Sequence, residues 1–160
     1  MSDEFNYVMR YFHIAQENSI HMYDKEGNFV RSFPMVNLTS RTGYLFENDH
    51  EGQITRGSYK QRTGASFDYA ADPGLTETGL GDEQLMFDIP MTDLVKGRQL
   101  GIAPYKDYRE FCTNNKYTKW EDFYDAISPE RICRLRTIYK DIEDLELITG
   151  MWSEGPVEGG

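Results

Sequence analysis

A histidine near the start of the chain could bind a metal, and an arginine three residues earlier could pair with an anionic group around that metal. His13 lies at the edge of an apolar stripe on a predicted amphipathic helix, whose members are spaced i, i+3, i+4 and i+7. The stripe consists of Phe5, Val8, Met9 and Phe12. A neutral imidazole is a common iron ligand, and Arg10 lies one turn before it on the same flank. The alternative is a histidine at the edge of a core beside a solvated arginine.

A second candidate constellation lies eighty residues later, in the segment 93–105 with the sequence DLVKGRQLGIAPY. As local structure it reads as the end of a helix, because Lys96 and Arg98 suit the negative end of the helix dipole and Gly101 stops the helix. Asp93 is less well explained, since it lies among apolar neighbours where a carboxylate needs a partner. It could instead lie at the surface, or pair with Lys96 or Arg98 one turn on.

Several elements must position these residues. Ser2 is a predicted N-cap of the first helix, with Asp3 and Glu4 at the positive end of its dipole. Residues 19–23 and 29–33 are predicted to form a β-hairpin around the loop 24–28. Residues 34–60 are mixed, and residues 61–82 have the composition of a long loop without periodicity.

The second half of the chain has helical patterns from residue 82 onward. Leu85 and Met86 begin an imperfect stripe that Pro90 should kink or restart. Pro104 suits the first residue of a helix, residues 118–121 form a predicted capping box, and residues 128–130 form another helix start. The inward faces of these helices are predicted to be Tyr105, Tyr108, Phe111 and Cys112, then Trp120, Phe123, Tyr124 and Ile127, then Ile132, Leu135, Ile138 and Tyr139. These patterns predict one mainly α-helical domain over residues 1–160, with a minor β-hairpin.

Composition excludes some classes of function. A net charge of −10 and a pI near 4.7, without a run of lysines or arginines, argue against a nucleic-acid partner. No apolar run approaches the length of a membrane span, and no signal peptide is present in this chain. Cys112 and Cys133 could form one disulfide, and Asn37 begins a glycosylation sequon. His21 and His50 are expected at the surface or in turns.

Three motifs, in this order, resemble the C-terminal part of the animal haem peroxidase superfamily, which includes myeloperoxidase, peroxidasin and arthropod peroxinectin-like proteins. Residues 10–13 (RYFH) resemble the Arg-(Tyr/Phe)-Gly-His of that family. Residues 93–105 resemble Asn-x-x-Arg-(Gly/Ser)-Arg-Asp-His-Gly-(Leu/Ile)-Pro-x-Tyr, and residues 108–112 (YREFC) resemble an aromatic-Arg-x-aromatic-Cys helix. The segment 118–147 also follows the family pattern, so the resemblance spans nearly the whole chain.

The resemblance implies a role for four residues. His13 would be the proximal ligand of a haem iron. Asp93 would take the place of an asparagine that accepts a hydrogen bond from the other nitrogen of that imidazole, which would increase its donor strength and lower the iron's reduction potential. Arg10 would contact a haem propionate, and Lys96 would match a second propionate-binding arginine while keeping its charge but not its fork.

The departures from the family pattern limit what this chain can do. Phe12 replaces a glycine beside the ligand, Gln99 and Leu100 replace Asp-His, and the proline comes one residue late. The distal histidine and arginine of the family precede the proximal histidine, and none of the twelve residues before His13 is a histidine. The chain is therefore expected to carry at most the proximal half of a haem site, as part of a larger haem peroxidase domain.

The resemblance predicts the function of a haem peroxidase, which uses hydrogen peroxide to oxidise small reducing substrates. The parent protein is expected to be secreted or extracellular, and this chain alone is expected to be a weak catalyst or inactive, since a distal acid–base group typically contributes roughly 10²–10⁴-fold in rate. The alternative is a non-catalytic adhesion or interaction module on a degenerate peroxidase scaffold. The residues do not indicate an oligomeric state.

Overall fold

The structure is a computed structural model that describes residues 2–62, 76 and 88–155. The chain divides into two compact units. The first comprises Met1–Phe12 and Thr92–Gly160, and the second comprises His13–Met91. The predicted mainly α-helical fold with one β-hairpin is confirmed. The predictions for residues 63–75 and 77–87, which include Leu85 and Met86, lie outside the described residues.

The elements follow one another in a simple order. The α-helices are α1 (Asp3–Val8), α2 (His50–Lys60), α3 (Ile89–Leu100), α4 (Tyr105–Thr113), α5 (Pro129–Leu135) and α6 (Leu147–Ser153). The strands are β1 (Ser19–Tyr23) and β2 (Phe29–Pro34). Short 3₁₀ helices cover Met9–Ala15, Met35–Asn37, Thr42–Phe46, Trp120–Asp125 and Ile142–Asp144. No helix among the described residues is long and apolar enough to span a membrane.

Helix α1 begins as predicted but buries a different face. The Ser2 hydroxyl accepts a hydrogen bond from the backbone N–H of Phe5 at 3.3 Å. The buried side chain is Tyr7, whereas three members of the predicted apolar stripe are exposed, namely Phe5, Met9 and Phe12. The α-helix ends at Val8 and continues as a 3₁₀ helix with three residues per turn. That change of period breaks the 3.6-residue phase on which the predicted stripe depends.

The apolar core of the first unit is built where the periodicity predicts helices. Tyr105 is 1% exposed, and a Cβ atom added at Gly150 of α6 would overlap its ring, so a glycine lets the two helices approach closely. The rings of Tyr117 and Phe123 stack with their centroids 5.1 Å apart. The core cluster also contains Tyr7, Trp120, Ile127, Ile132, Leu135, Ile142, Leu145, Leu147 and Ile148.

Local start signals of the later helices are largely confirmed. Pro90 lies in the first turn of α3, and Ser128 caps α5, where its hydroxyl accepts from the Arg131 N–H at 3.4 Å. Gly101 ends α3 with a φ of +66°, a conformation that favours glycine. The predicted capping box lies one residue later than expected, because the Asp122 carboxylate accepts from the backbone N–H groups of Thr118 and Lys119 at 2.7 and 3.1 Å.

Four residues predicted on inward faces point outward instead. Phe111 and Ile138 are 88% and 76% exposed, and Tyr124 is 47% exposed. Cys112 is exposed as well, and both it and Cys133 are free thiols, so the disulfide considered from the sequence is not formed. Phe111 and Cys112 lie on the short helix α4 and Tyr124 on a 3₁₀ helix, where one buried stripe of two or three side chains is enough for packing. Ile138 lies beyond the end of α5 at Leu135, so the helical phase that predicted its burial does not extend to it.

The described part of the second unit contains the predicted hairpin, short 3₁₀ helices and an α-helix that the sequence did not indicate. Strands β1 and β2 pair antiparallel, with Ile20 opposite Phe33 and an irregularity between Met22 and Tyr23. Helix α2 packs on β1 through Gly57, because a Cβ atom there would overlap the backbone carbonyl of His21. The Arg56 Nε donates to the Tyr23 carbonyl at 2.9 Å. The hairpin is therefore covered by a helix that polar contacts hold in place.

Candidate functional site

Helix α1 and the start of the 3₁₀ helix that follows it meet α3 through two residue pairs, which include two of the predicted site residues. A Cβ atom at Gly97 would overlap the phenol of Tyr7. Three residues after Tyr7, the Arg10 Nη1 lies 3.5 Å from the Asp93 Oδ1. The later residue of the N-terminal segment, Arg10, contacts the earlier residue of α3, Asp93. The two segments therefore run in opposite directions. Glycine at position 97 thus lets α1 approach closely enough to bring Arg10 to Asp93.

Asp93 is among the most buried residues of the first unit, at 1% exposure. The alternative that places it at the surface is therefore wrong. The Arg10 guanidinium is its ion-pair partner, whereas Arg98 pairs with Glu146 and Lys96 forms no ion pair with any described residue. Burying a carboxylate is costly unless a cation or donor accompanies it, so this pair satisfies the need that the sequence raised for Asp93.

The Tyr7 hydroxyl is a buried polar group beside this ion pair. It has no hydrogen-bond partner among the described residues. Burial is the main cause that raises the pKa of Tyr7 to about 12, and the negative charges of Glu146 and Asp93 add to it. The phenol therefore remains neutral and keeps its proton throughout the physiological range. The sequence motifs did not single out Tyr7, because its position falls off the apolar stripe.

A cluster around Glu146 fixes the end of α3 and was also missed. The Glu146 Oε1 accepts from the Arg98 Nε at 2.9 Å and from its Nη2 at 2.5 Å. The other carboxylate oxygen accepts a short hydrogen bond from the Tyr139 hydroxyl. Burial and this bond raise the pKa of Tyr139 to about 12. Arg98 thus holds the start of α6 to α3, a role that helix-dipole reasoning alone could not predict.

His13 lies in the 3₁₀ helix Met9–Ala15 and is half-buried. It belongs to the second unit, whereas Arg10, Asp93 and Lys96 belong to the first. The segment just before it is anchored within the first unit, because the Trp152 indole N–H donates to the Tyr11 carbonyl at 3.2 Å. The roles of His13 as iron ligand and of Asp93 as its hydrogen-bond partner stay predictions.

The other two histidines differ from what the sequence led us to expect. His21 is half-buried in β1, and His50 is only 6% exposed, so a surface role is wrong for His50. The His50 Nδ1 lies 3.0 Å from the Tyr44 carbonyl and its Nε2 lies 3.1 Å from the Arg31 Nη2. Its ring stacks on Tyr44 with centroids 4.1 Å apart. Both ring nitrogens are thus engaged by protein groups, which makes His50 a structural residue.

Comparison with known proteins agrees with the motifs. The family model described as Animal haem peroxidase matches residues 1–160. The chain is 28% identical over 155 residues to a peroxidase of Drosophila melanogaster, which covers 95% of this chain and 22% of that protein. It is 32% identical over 73 residues to heme peroxidase 2 of Caenorhabditis elegans, covering 46% of this chain and 10% of the relative.

A similar degree of sequence identity relates the chain to a protein that is named as a dioxygenase. Alpha-dioxygenase 1 of Capsicum annuum is 32% identical over 73 residues, covering 45% of this chain and 11% of that protein. Among solved structures, peroxidase A from Dictyostelium discoideum superposes with a TM-score of 0.84 over the whole chain, at 22% identity and 31% coverage of that protein. The chain therefore spans less than a third of the length of each of these relatives. The match over all 160 residues shows that it belongs to the animal haem peroxidase family.

Proposed function

We propose that this chain supplies the proximal part of a haem site in a peroxidase that oxidises small reducing substrates with hydrogen peroxide. The observation that carries the proposal is the buried Asp93 with Arg10 beside it, at the two positions where the family motifs place haem-site residues. Family membership supports the same reaction class. Bound haem would supply the iron at which peroxide is reduced.

The side chains of the first unit fit an anionic, apolar, planar group. Arg10 donates one long hydrogen bond of 3.5 Å to Asp93. Its other guanidinium N–H groups can therefore bind a carboxylate such as a propionate. Lys96 is half-buried and forms no ion pair with a described residue, so it can supply a second cation. Phe5, Met9 and Phe12 expose apolar surface on the same segment that carries Arg10. Such a segment suits contact with a macrocycle whose edge carries acids.

The proposed division of labour follows from charge and burial. His13 would bind the iron through a neutral imidazole, and Asp93 would hold the other ring nitrogen as an acceptor and so fix the tautomer. The Arg10 guanidinium would accompany the buried carboxylate as its cation. We further propose an extracellular parent protein. This chain alone should turn over peroxide poorly, because no residue in it is assigned as a distal acid–base group.

A haem titration followed by the Soret band tests the site. His13→Ala should abolish the Soret shift, and His21→Ala should leave it intact, because His21 lies in β1 and has no assigned role. Asp93→Asn should retain binding but raise the reduction potential of the bound iron, since an amide is a weaker acceptor than a carboxylate. Unchanged binding in His13→Ala would remove the ligand assignment. Absence of any haem binding by the folded chain would favour the adhesion or interaction module.

A further inference from the structure

A surface cleft in the first unit combines cations and fixed aromatic rings far along the sequence from the candidate haem residues. It has a volume of about 530 Å³ and is lined by residues of the segments 118–120 and 136–143. This volume lies in the range of small-molecule sites, roughly 300–1,000 Å³. We call it the C-terminal cleft.

The charges of the C-terminal cleft leave two ammonium groups available. Arg136 pairs with Glu121 at 3.2 Å, and Glu143 pairs with Lys106 at 2.8 Å, so both lining charges have partners outside the cleft. The remaining cations of the lining are Lys119 and Lys140, which are exposed and form no ion pair with a described residue.

The remaining acidic group of the lining is already occupied. The Asp141 carboxylate accepts a hydrogen bond from the backbone N–H of Asp144, as part of a reciprocal cap at the start of the 3₁₀ helix Ile142–Asp144. Its charge remains, but the lining carries three cations, Lys119, Arg136 and Lys140, against the two carboxylates of Asp141 and Glu143. On a chain with a net charge of −10, a cleft with two unpaired ammonium groups is a local site of the opposite sign.

The apolar part of the lining is rigid and aromatic. Trp120 is held edge-on against Phe123, with ring centroids 6.3 Å apart. The Tyr139 ring is fixed by its hydroxyl, which donates to Glu146 and lies 3.3 Å from the Thr149 hydroxyl. Trp120 and Ile142, which both line the cleft, are 8% and 4% exposed. A preformed aromatic wall loses little conformational entropy when a flat ligand binds against it.

We propose that the C-terminal cleft binds a small aromatic carboxylate, with its ring against Trp120 and Tyr139 and its carboxylate between Lys119 and Lys140. The two features select different parts of the ligand, since the lysines require an anion and the rings favour a planar apolar body. Binding involves only residues of the first unit and does not depend on haem. It would give this part of the protein a ligand site separate from the residues proposed to hold the cofactor.

Benzoate is the probe, measured by ligand-observed NMR and by quenching of tryptophan fluorescence in the chain without haem. For a ligand of this size we expect a Kd on the order of 1 mM. Two matched compounds separate the contributions. Benzamide keeps the ring without the charge, and cyclohexanecarboxylate keeps the charge without the aromatic ring. Both should bind at least about 5-fold more weakly, and raising the salt from about 0.05 to 0.5 M should weaken benzoate several-fold.

A charge reversal in the cleft and a matched reversal elsewhere complete the test. Lys140→Glu should weaken benzoate about 10-fold, because it turns an attraction into a repulsion at a partly screened site. Lys140→Gln should have a smaller effect. Lys25→Glu changes the net charge equally but lies in the exposed hairpin loop, so it should leave the affinity unchanged. Equal affinities for benzoate and benzamide, equal effects of Lys140→Glu and Lys25→Glu, or no binding at about 10 mM would each overturn the proposal.

Discussion

The two units of this chain are stabilised by different kinds of contact. The first unit has a contiguous core of buried tyrosine, phenylalanine, tryptophan, isoleucine and leucine side chains. In the second unit the described buried residues are few and mostly small or polar, namely Ile14, Ala15, Met22, His50 and Gly57. The second unit therefore depends on close backbone approach and on engaged polar groups. The first depends on the area of apolar surface that it buries.

Because of this difference, the two units should respond differently when a substitution adds a single carbon atom. A packed side-chain core can shift slightly to accept a change, whereas a helix seated directly on a strand backbone cannot. Single substitutions can test that contrast, and the largest effect is expected at the contact between α2 and β1.

Gly57→Ala should destabilise the second unit by more than about 3 kcal/mol, because the added methyl group meets the carbonyl of His21, which is held in the β1–β2 ladder. Helix propensity alone would favour alanine by about 1 kcal/mol, so the sign of the effect is diagnostic. Chemical denaturation followed by circular dichroism measures it. Gly43→Ala is the matched control, since nothing lies within 4 Å of the added atom. A stabilised Gly57→Ala variant would contradict the close helix–strand contact.

Ile148→Ala and His50→Ala compare one central residue from each unit. Ile148 is fully buried in the apolar core, so its truncation should cost about 3–4 kcal/mol. His50→Ala should cost about 2 kcal/mol, because it removes a ring stack and two hydrogen-bond partners. Urea unfolding of both variants gives the two values. A larger loss for His50→Ala than for Ile148→Ala would reverse the ranking of apolar burial over polar contacts.

Tyr139→Phe and Tyr7→Phe test a half-buried and a buried phenol of the first unit that differ in hydrogen bonding. Tyr139→Phe should destabilise by about 1–2 kcal/mol, since Glu146 loses a donor. Tyr7→Phe should be neutral or stabilise by up to about 1 kcal/mol, because the hydroxyl that it removes has no partner among the described residues. Thermal unfolding at neutral pH distinguishes them. A marked loss in Tyr7→Phe would show that this hydroxyl is satisfied in solution, for example by a buried water.

The same two tyrosines should make the protein sensitive to alkaline pH, with a smaller effect. Both have a pKa of about 12 in the fold against 10.0 for the ordinary side chain. Between about pH 10 and 12 the unfolded chain releases protons that the folded chain keeps, so the free energy of unfolding falls as pH rises. Below about pH 10 these groups add no pH dependence. Denaturant unfolding across this window should show a shallower fall in Tyr7→Phe, and an unchanged slope would contradict the raised pKa.

The sequence by itself determined the family, the helical class, the hairpin and most local start and stop signals. Ser2, Ser128 and Gly101 act through their own backbone or the next turn, and such contacts can be read from neighbouring residues. The need of Asp93 for a partner was also visible, because a carboxylate among apolar residues must be compensated.

Only the tertiary structure decided which faces are buried and which charges meet. Tyr7 is buried because Gly97, ninety positions later, leaves room for it. Asp93 pairs with Arg10 because that close approach brings the N-terminal segment against α3. Helix α2 was not predicted because it is polar and contains two glycines, Gly52 and Gly57. Gly57 is required only by the strand against which the helix packs. Local periodicity describes one segment at a time, whereas these contacts depend on two segments that the sequence keeps far apart.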